Sequence, residues 1–196
     1  MNLIVKKCFP KAKRVTDRFH VQKLAFEAVQ DIRIKYRWIV LEEENKTSKS
    51  YHFKNGDSRR QLLARSRYLL FKSPSKWSYS QLIRAELLFK EYPEIEKSYK
   101  LAMELMSIYE NTTLKEVAYT KMAQWFNKIE LSGLTMFKTL KRTFYNHYEQ
   151  ILNYFERKST NASAESFNAK IKDFRRVFRG VRDIKFFLFR VSKIFA

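Results

Sequence analysis

Two acidic residues occupy positions where carboxylates often do chemistry. Asp17 follows a short apolar segment and precedes a helical pattern, where a carboxylate often binds a metal ion or polarises a substrate. Glu165 follows a run of small polar residues near the start of another helical pattern. Each acid also has a structural explanation: Asp17 as the N-cap of a helix starting near Phe19, and Glu165 as a first-turn acid stabilised by the helix dipole. Spacing alone favours the structural explanations.

Other residues give little indication of catalysis. The sequence contains no Walker phosphate loop, no dinucleotide-binding glycine motif and no CxxC pair. The histidines His20, His52 and His147 are scattered without metal-ligand spacing, and ordinary structural roles are favoured for them. A single cysteine, Cys8, excludes an internal disulfide and a zinc ribbon.

The charge balance indicates the class of partner. Forty Lys and Arg residues stand against 20 Asp and Glu, which gives a formal net charge of +20. An excess of this size indicates a polyanionic partner, either nucleic acid or an anionic membrane. No apolar run reaches about 18 residues, so no helix is predicted to span a bilayer. We therefore expect DNA as the partner and no membrane partner.

Basic and aromatic residues are concentrated in residues 166–196. This segment holds nine Lys and Arg, two acids and seven Phe, arranged as two amphipathic helical stripes separated by Gly180. Basic helix faces of this kind follow a phosphate backbone. A solvated basic face over an ordinary core is one alternative, and binding of residues 181–195 to a membrane surface is another. The predicted DNA-binding residues are Lys170, Lys172, Arg175, Arg176, Arg179 and Arg182.

Composition and periodicity predict a mostly α-helical chain. Hydrophobic residues make up 45%, enough to form a core, while three Gly and three Pro are too few for a many-stranded fold. A helix is predicted from Phe19 to about residue 45. The polar stretch 42–60 is predicted to be a loop or a frayed helix end, and it is the best candidate for a boundary. Short strands are predicted at Arg14–Asp17 and Tyr68–Phe71. Capping boxes are predicted to open two later helices, with the pairs Ser78 and Gln81, and Thr113 and Glu116.

Three segments together resemble one family. VTDRFHVQKL at 15–24 resembles the second-aspartate motif of bacterial insertion-sequence transposases of the DDE class, in the ISL-three-like group. RYLLFK at 67–72 is similar to their next strand. The long block STNASAESFNAKIKDFRRVFRGVRDIKFFLFRV at 159–191 resembles their terminal block: small polar run, catalytic Glu, Asn, Ile-Lys, basic run, glycine and aromatic helix.

The resemblance implies a truncated RNase H-like α/β catalytic domain with a large helical insertion. Residues 1–72 would be a partial core of helix, strand, helix and strand, and residues 73–158 the insertion. Residues 159–196 would hold the catalytic-glutamate helix and a basic aromatic helix. By the matched motifs, Asp17 is the second catalytic acid and Glu165 the third.

The family chemistry implies a divalent metal, Mg²⁺ or Mn²⁺, held by Asp17 and Glu165. Two such ions stabilise charge on the attacking and leaving oxygens of a phosphodiester, and hard oxygen ligands suit Mg²⁺. His20, three residues after Asp17, and Asn168, one turn after Glu165, would lie beside the two acids and orient them or contact DNA. Ordinary helix-start roles are the alternative for both. DNA binding itself needs no metal.

No acidic residue precedes Asp17, although the family's first catalytic Asp is expected on an upstream strand. We therefore expect this chain to be the C-terminal portion of such a transposase, inactive by itself but able to bind transposon ends and target DNA. The alternative is a non-catalytic DNA-binding product that inhibits the full-length transposase. We expect a bacterial, cytoplasmic, nucleoid-associated protein that associates with itself or with full-length transposase.

Overall fold

The computed structural model shows a mostly helical protein, as the sequence predicts. Its contacts divide the chain into two compact units, Met1–Lys158 and Ser159–Ala196. The structure describes residues 7, 10–11, 13–46, 52–158 and 162–195.

The longest described helix of the first unit begins directly after Asp17. The described residues of this unit form α1 (Arg18–Lys46), α2 (Arg59–Arg65), α3 (Tyr79–Glu91), α4 (Pro93–Glu110), α5 (Lys115–Ser132), α6 (Thr135–Asn146), α7 (Tyr148–Leu152) and α8 (Tyr154–Arg157), with 3-10 turns at Leu69–Phe71 and Pro74–Lys76. The second unit contains α9 (Ala162–Val177) and α10 (Ile184–Phe195).

Capping explains where several of these helices begin. The Ser78 hydroxyl accepts the Gln81 N–H at 3.3 Å, and the Gln81 side chain accepts the Ser78 N–H at 3.2 Å, so the predicted capping box of α3 is confirmed. An equivalent box at Ser58 opens α2, inside the stretch predicted to be loop. The predicted box at Thr113 is wrong, because α5 begins at Lys115 without a side-chain cap.

One hydrophobic core joins the helices of the first unit, where α1 packs against α2, α4 and α6. In α4 the buried residues Ile95, Tyr99, Ala102 and Tyr109 recur at helical spacing, so a single face enters the core. Trp125 of α5 is fully buried, and its indole N–H donates to the Leu101 carbonyl at 2.8 Å. The helical stripes therefore act as core contacts. Division of residues 1–158 into a catalytic core and an insertion stays a prediction.

Both predicted strands are wrong. Arg14–Asp17 has no regular structure, and Thr16 donates its N–H to the Gln150 carbonyl at 2.9 Å. Leu69–Phe71 is a 3-10 turn, with the Trp77 indole donating to the Leu69 carbonyl at 2.9 Å. A strand needs a neighbouring strand for its backbone groups. Over the described residues the structure offers none, and the Gln150 carbonyl and the Trp77 indole pair with these backbone groups instead.

A tight turn over residues 52–58 surrounds a buried acid. The side chain of Asp57 is 1% exposed, and its carboxylate accepts hydrogen bonds from Arg65 and, at 2.9 Å, from the Nε of Arg84. Burial raises the pKa of Asp57, but the hydrogen bonds from Arg84 and Arg65 outweigh it and hold that pKa below its ordinary value. The turn is thereby tied to α2 and α3, and the polar stretch is ordered where the structure describes it.

Candidate nucleic-acid interface and catalytic residues

Asp17 caps the long helix α1. Its Oδ1 accepts the Phe19 N–H at 2.6 Å, and its carbonyl accepts the Val21 N–H at 3.3 Å, so the N-cap explanation of this residue is confirmed. The segment before it is fixed by the side chain of Asn153, whose Nδ2 donates to the Arg14 carbonyl at 3.0 Å. The half-buried carboxylate of Asp17 therefore has a defined backbone setting.

The negative charge of Asp17 affects the pKa of a buried tyrosine. Burial is the main cause that raises the pKa of Tyr109, and the neighbouring Tyr154 and the negative charge of Asp17 raise it further. Asp17 thus lies near the buried aromatic side chains of α4 and α8, where charges interact more strongly than in water.

His20 lies at the surface, one turn into α1. It is exposed, and its ring meets Phe19 edge-on at a centroid distance of 5.9 Å. Together with Thr16, His147 and Gln150 it lines a small cavity of about 220 Å³ in the first unit. His20 is therefore accessible to a ligand.

Glu165 lies in the first turn of α9, as the sequence predicts for a dipole-stabilised acid. It is exposed, and so is Asn168. Both residues belong to the second unit, whereas Asp17 and His20 belong to the first. The predicted convergence of Asp17 and Glu165 on one metal ion stays a prediction.

The cationic residues of the second unit are all at the surface. Its residues 159–196 carry nine Lys and Arg against three acids. One exposed ion pair, Arg176 with Asp173 at 3.4 Å, lies along α9. Arg179 and Gly180, with φ of 51° and 121°, make the turn in which α9 ends. The six predicted DNA-binding residues Lys170, Lys172, Arg175, Arg176, Arg179 and Arg182 are all exposed.

The helices α9 and α10 form a helical hairpin, and their aromatic residues pack against one another. The ring of Phe174 lies 4.7 Å from Phe178, 5.8 Å from Phe187 and 6.0 Å from Phe195, measured between centroids. Asp183 caps α10 by accepting the Phe186 N–H at 3.0 Å, which the sequence analysis missed. The second unit has little buried core at α10, because Val191 is the only buried residue among the described residues of this helix. Along α9 the basic residues and the phenylalanines thus fall on different faces.

Aromatic and cationic side chains also meet directly in this unit. The guanidinium of Arg190 lies 5.8 Å from the ring centroid of Phe178 and 6.0 Å from that of Phe186. These residues border a cavity of about 640 Å³ at the turn between α9 and α10. The hairpin therefore presents both charge and exposed ring surface.

The acids offer the right donor type for a divalent ion. Carboxylate oxygens are hard ligands that suit Mg²⁺ or Mn²⁺. Across the described ranges no group of three His, Cys, Asp or Glu gathers as a metal site. Asp17 and Glu165 thus fit such an ion by ligand chemistry, each from its own unit.

Comparison with known proteins identifies the family. A family model described as transposase, for the ISL-three-like DDE group, matches residues 1–191. The chain therefore belongs to this transposase family, whose members carry out DNA transposition, act on DNA and use divalent metal ions. No curated protein and no solved structure gives a significant match. In the part of the chain that the structure describes, no helix is long and apolar enough to cross a membrane.

One cluster of functional interest was not predicted from the sequence. Arg33 and Arg37 of α1 come together with Arg67 around a cavity in the first unit, beside the exposed Trp38. The spacing of Arg33 and Arg37 is the i, i+4 spacing of one helix face and was available as a signal. Arg67 reaches them only through the fold, 30 residues further along the chain from Arg37.

Proposed function

We propose that this chain binds transposon and target DNA through the basic surface of its terminal hairpin. One observation carries the proposal: all six cationic side chains from Lys170 to Arg182 are exposed, while the ring of Phe174 packs against Phe178, Phe187 and Phe195. Lys and Arg that replace counterions along a phosphate backbone give affinity that falls as salt rises. The family membership of the chain supports DNA as the polyanion.

The test measures how DNA affinity depends on salt. A labelled duplex is titrated with the wild type and with the triple variant Lys172→Gln, Arg175→Gln, Arg179→Gln at several salt concentrations. Each lost phosphate contact lowers the slope of log affinity against log salt by about 0.9, so the triple variant should lose about 3.

A matched variant controls for net charge. Lys54, Lys90 and Lys138 are exposed lysines of the first unit, and their replacement by Gln removes the same three charges. This control should keep the wild-type slope. An equal loss in both triple variants would show that total charge, not the hairpin, sets affinity, and would contradict the proposal.

We further propose that Asp17 and Glu165 are the second and third acids of the family's catalytic triad and bind one divalent ion, Mg²⁺ or Mn²⁺. Support comes from the matched motifs around both residues and from their carboxylate chemistry. A bound ion supplies charge stabilisation at a phosphodiester and lowers the pKa of an attacking water. Asp17 would hold its ligand position through the cap of α1, and His20 and Asn168 would orient the acids or contact DNA.

Metal binding is tested without relying on activity. Mn²⁺ titrated into the intact chain and followed by electron paramagnetic resonance should show one site that both Asp17→Asn and Glu165→Gln weaken. Asn preserves an N-cap, so Asp17→Asn separates metal binding from helix stability. The exposed residues Asp31 and Glu86 provide matched controls as Asp31→Asn and Glu86→Gln. Equal weakening by the controls would refute the assignment.

A DNA-nicking assay with Mg²⁺ distinguishes two forms of the proposed function. We propose that the 196-residue chain alone binds DNA without nicking it, because the matched motifs supply two of the three family acids. Such binding without nicking also fits the non-catalytic alternative, an inhibitor of full-length transposase. Robust nicking abolished by Asp17→Asn would contradict the inactivity of the chain alone.

The RNase H-like architecture is a further part of this proposal and rests on the family match alone. In it, residues 1–72 belong to the catalytic core, residues 73–158 to the helical insertion and residues 159–196 to the terminal block. Limited proteolysis tests the last boundary, because cleavage should concentrate near residues 158–161. Preferential cleavage inside α4 or α5 would argue against this division.

A further inference from the structure

A cavity of about 510 Å³ opens along α1 in the first unit, and none of the residues proposed above to bind a metal ion or duplex DNA lines it. Its size lies in the range of pockets that bind a single small ligand. Three arginines contribute to its wall, two from α1 and one from the segment after α2. Such a concentration of one charge in a concave site indicates an anionic ligand.

Arg33 is fixed at the base of this cluster by neutral oxygen atoms. Its side chain is buried, with the residue 4% exposed, and its Nε donates to Gln30 at 2.7 Å and its Nη1 to the Leu63 carbonyl at 2.9 Å. Gln30 in turn donates to the Arg67 carbonyl at 3.0 Å. These bonds use two of the five donors of the guanidinium and hold its orientation.

Arg37 carries an unsatisfied donor. Its Nε is buried and has no hydrogen-bond partner among the described residues. A buried donor without a partner costs free energy. Arg37 lies one turn beyond Arg33 on the same helix face, and both residues line the same cavity.

The local charge is uncompensated. Burial lowers the pKa of Arg33, and the positive charges of Arg37 and Arg67 lower it further. One acid, Glu27, lines the cavity, and it pairs with Lys23 at 3.7 Å. Three positive charges therefore face one partly neutralised negative charge, and an anion such as phosphate would stabilise the cluster.

Aromatic surface lies beside these charges. Trp38 is 63% exposed and Phe71 is 42% exposed, and both line the cavity. Large aromatic side chains next to arginines form the platform on which unstacked bases pack, while arginines hold the adjoining phosphate. In a duplex the base faces are stacked on one another, so only an unpaired nucleotide uses both the arginines and Trp38.

We propose that this cavity binds one unpaired nucleotide of DNA, with its phosphate at Arg33, Arg37 and Arg67 and its base stacked on Trp38. The proposal rests on the proposed function in that the chain must bind DNA. It adds a second DNA contact, in the first unit. This contact distinguishes an unpaired strand from a duplex, whereas the basic hairpin responds to the charge of the phosphate backbone.

Two DNAs of identical duplex sequence test this inference, one blunt and one with a short single-stranded tail. Wild-type protein should bind the tailed DNA more tightly by between about fivefold and a hundredfold, the range expected for base stacking on an aromatic side chain. Trp38→Leu, Arg37→Gln and Arg67→Gln should each remove most of that preference and leave blunt-duplex affinity nearly unchanged. Arg67 is exposed, so its variant remains informative if Arg37→Gln reduces stability.

Lys35→Gln is the matched control. Lys35 lies on α1 between Arg33 and Arg37 and does not line the cavity. Its replacement by Gln removes the same single positive charge. It should keep the preference for the tail. Equal loss of preference in Lys35→Gln would reduce the effect to long-range charge and overturn the inference.

Tryptophan emission gives a second readout. Trp38 is exposed, whereas Trp125 is fully buried and Trp77 half-buried, so tailed DNA should quench mainly Trp38 and the quenching should vanish in Trp38→Phe. Competition by inorganic phosphate tests the assignment to a nucleotide. If phosphate displaces the tailed DNA as effectively as a competing tailed DNA does, the cavity is a site for free anions and the assignment is overturned.

The outcomes separate this inference from the proposed function. Equal binding of blunt and tailed DNA would overturn the nucleotide site and leave hairpin binding intact. Failure to bind either DNA would refute the proposed function, and the cavity assignment with it.

Discussion

The two units of this chain differ in how many of their aromatic residues they bury. In the first unit Trp125, Phe137 and Phe144 are at most 1% exposed and form a continuous core. In the second unit Phe186 and Phe189 are more than half exposed. A residue type that stabilises one unit by burial is thus presented to solvent in the other. The first unit therefore has a large aromatic core and exposes other rings, such as Trp38, at its surface, whereas the second unit has little core behind its exposed rings.

The largest expected effect is the loss of stability when an aromatic residue of the first unit's core is removed. Trp125→Ala should lower the free energy of unfolding by about 3–5 kcal/mol, because it opens a large cavity and leaves the Leu101 carbonyl without its hydrogen bond. Phe189→Ala in the second unit should cost less than about 1 kcal/mol, because that ring is 55% exposed. Chemical denaturation followed by circular dichroism measures both. Similar losses for both variants would remove the contrast between the units.

The second effect concerns the buried acid of the first unit. Asp57→Asn should cost about 2–3 kcal/mol, somewhat less than a fully buried pair because Arg65 is half exposed. The pKa of Asp57 is lower in the folded protein than in the unfolded chain. Its stabilisation is therefore complete above the unfolded value of about 4 and is lost as pH falls through the lower folded value.

Unfolding free energies measured from about pH 7 down to about pH 3 check this sign. The difference between wild type and Asp57→Asn should shrink as pH falls. A difference that stays constant or grows on acidification would show that the carboxylate charge of Asp57 does not stabilise the fold. The exposed residue Asp31 provides the control variant Asp31→Asn, which should show little change at any pH.

A smaller effect is expected at helix starts. Ser78→Ala removes a capping box and should cost about 1 kcal/mol. Thr113→Ala is a matched control with the same sequence signature, since α5 begins without a side-chain cap, and it should change stability by less than about 0.3 kcal/mol. Thermal unfolding of both variants measures the difference. A larger loss for Thr113→Ala would place a cap where the structure has none.

The smallest effect on stability is expected at the basic surface. Arg176→Gln removes an exposed ion pair and should change the unfolding free energy by less than about 0.5 kcal/mol. DNA affinity should nevertheless fall and the salt slope decrease by about 0.9. Isothermal unfolding together with a DNA titration of the same preparation measures both. Loss of stability without loss of affinity would reverse the roles assigned to the second unit.

Local signals in the sequence predicted most helices. The apolar period of α1 and the capping box of Ser78 act within a few residues, and both are confirmed. The strands at Arg14–Asp17 and Tyr68–Phe71 were wrong because pairing depends on a distant segment that composition does not reveal. The Asp57 network was missed for the same reason, since Arg84 is far along the chain.

The candidate site was likewise predictable only where its signals are local in the sequence. Exposure of the basic residues on α9 could be inferred from amphipathic spacing, and the N-cap alternative for Asp17 from its place before α1. The arginine cavity could not, because Arg67 joins Arg33 and Arg37 only through packing of the first unit. The catalytic roles of Asp17 and Glu165 came from motif resemblance and stay predictions.

The length of α1 sets a spacing within the first unit. Asp17 caps its start and Arg37 lies 20 residues further along, which at 1.5 Å per residue is about 30 Å. That distance equals about nine base steps of a DNA strand at 3.4 Å each. If Asp17 holds the reacting phosphodiester as proposed, a strand with duplex-like rise that reaches both positions would place its unpaired nucleotide about nine steps away. DNAs with tails attached at graded distances from a nick would measure this spacing.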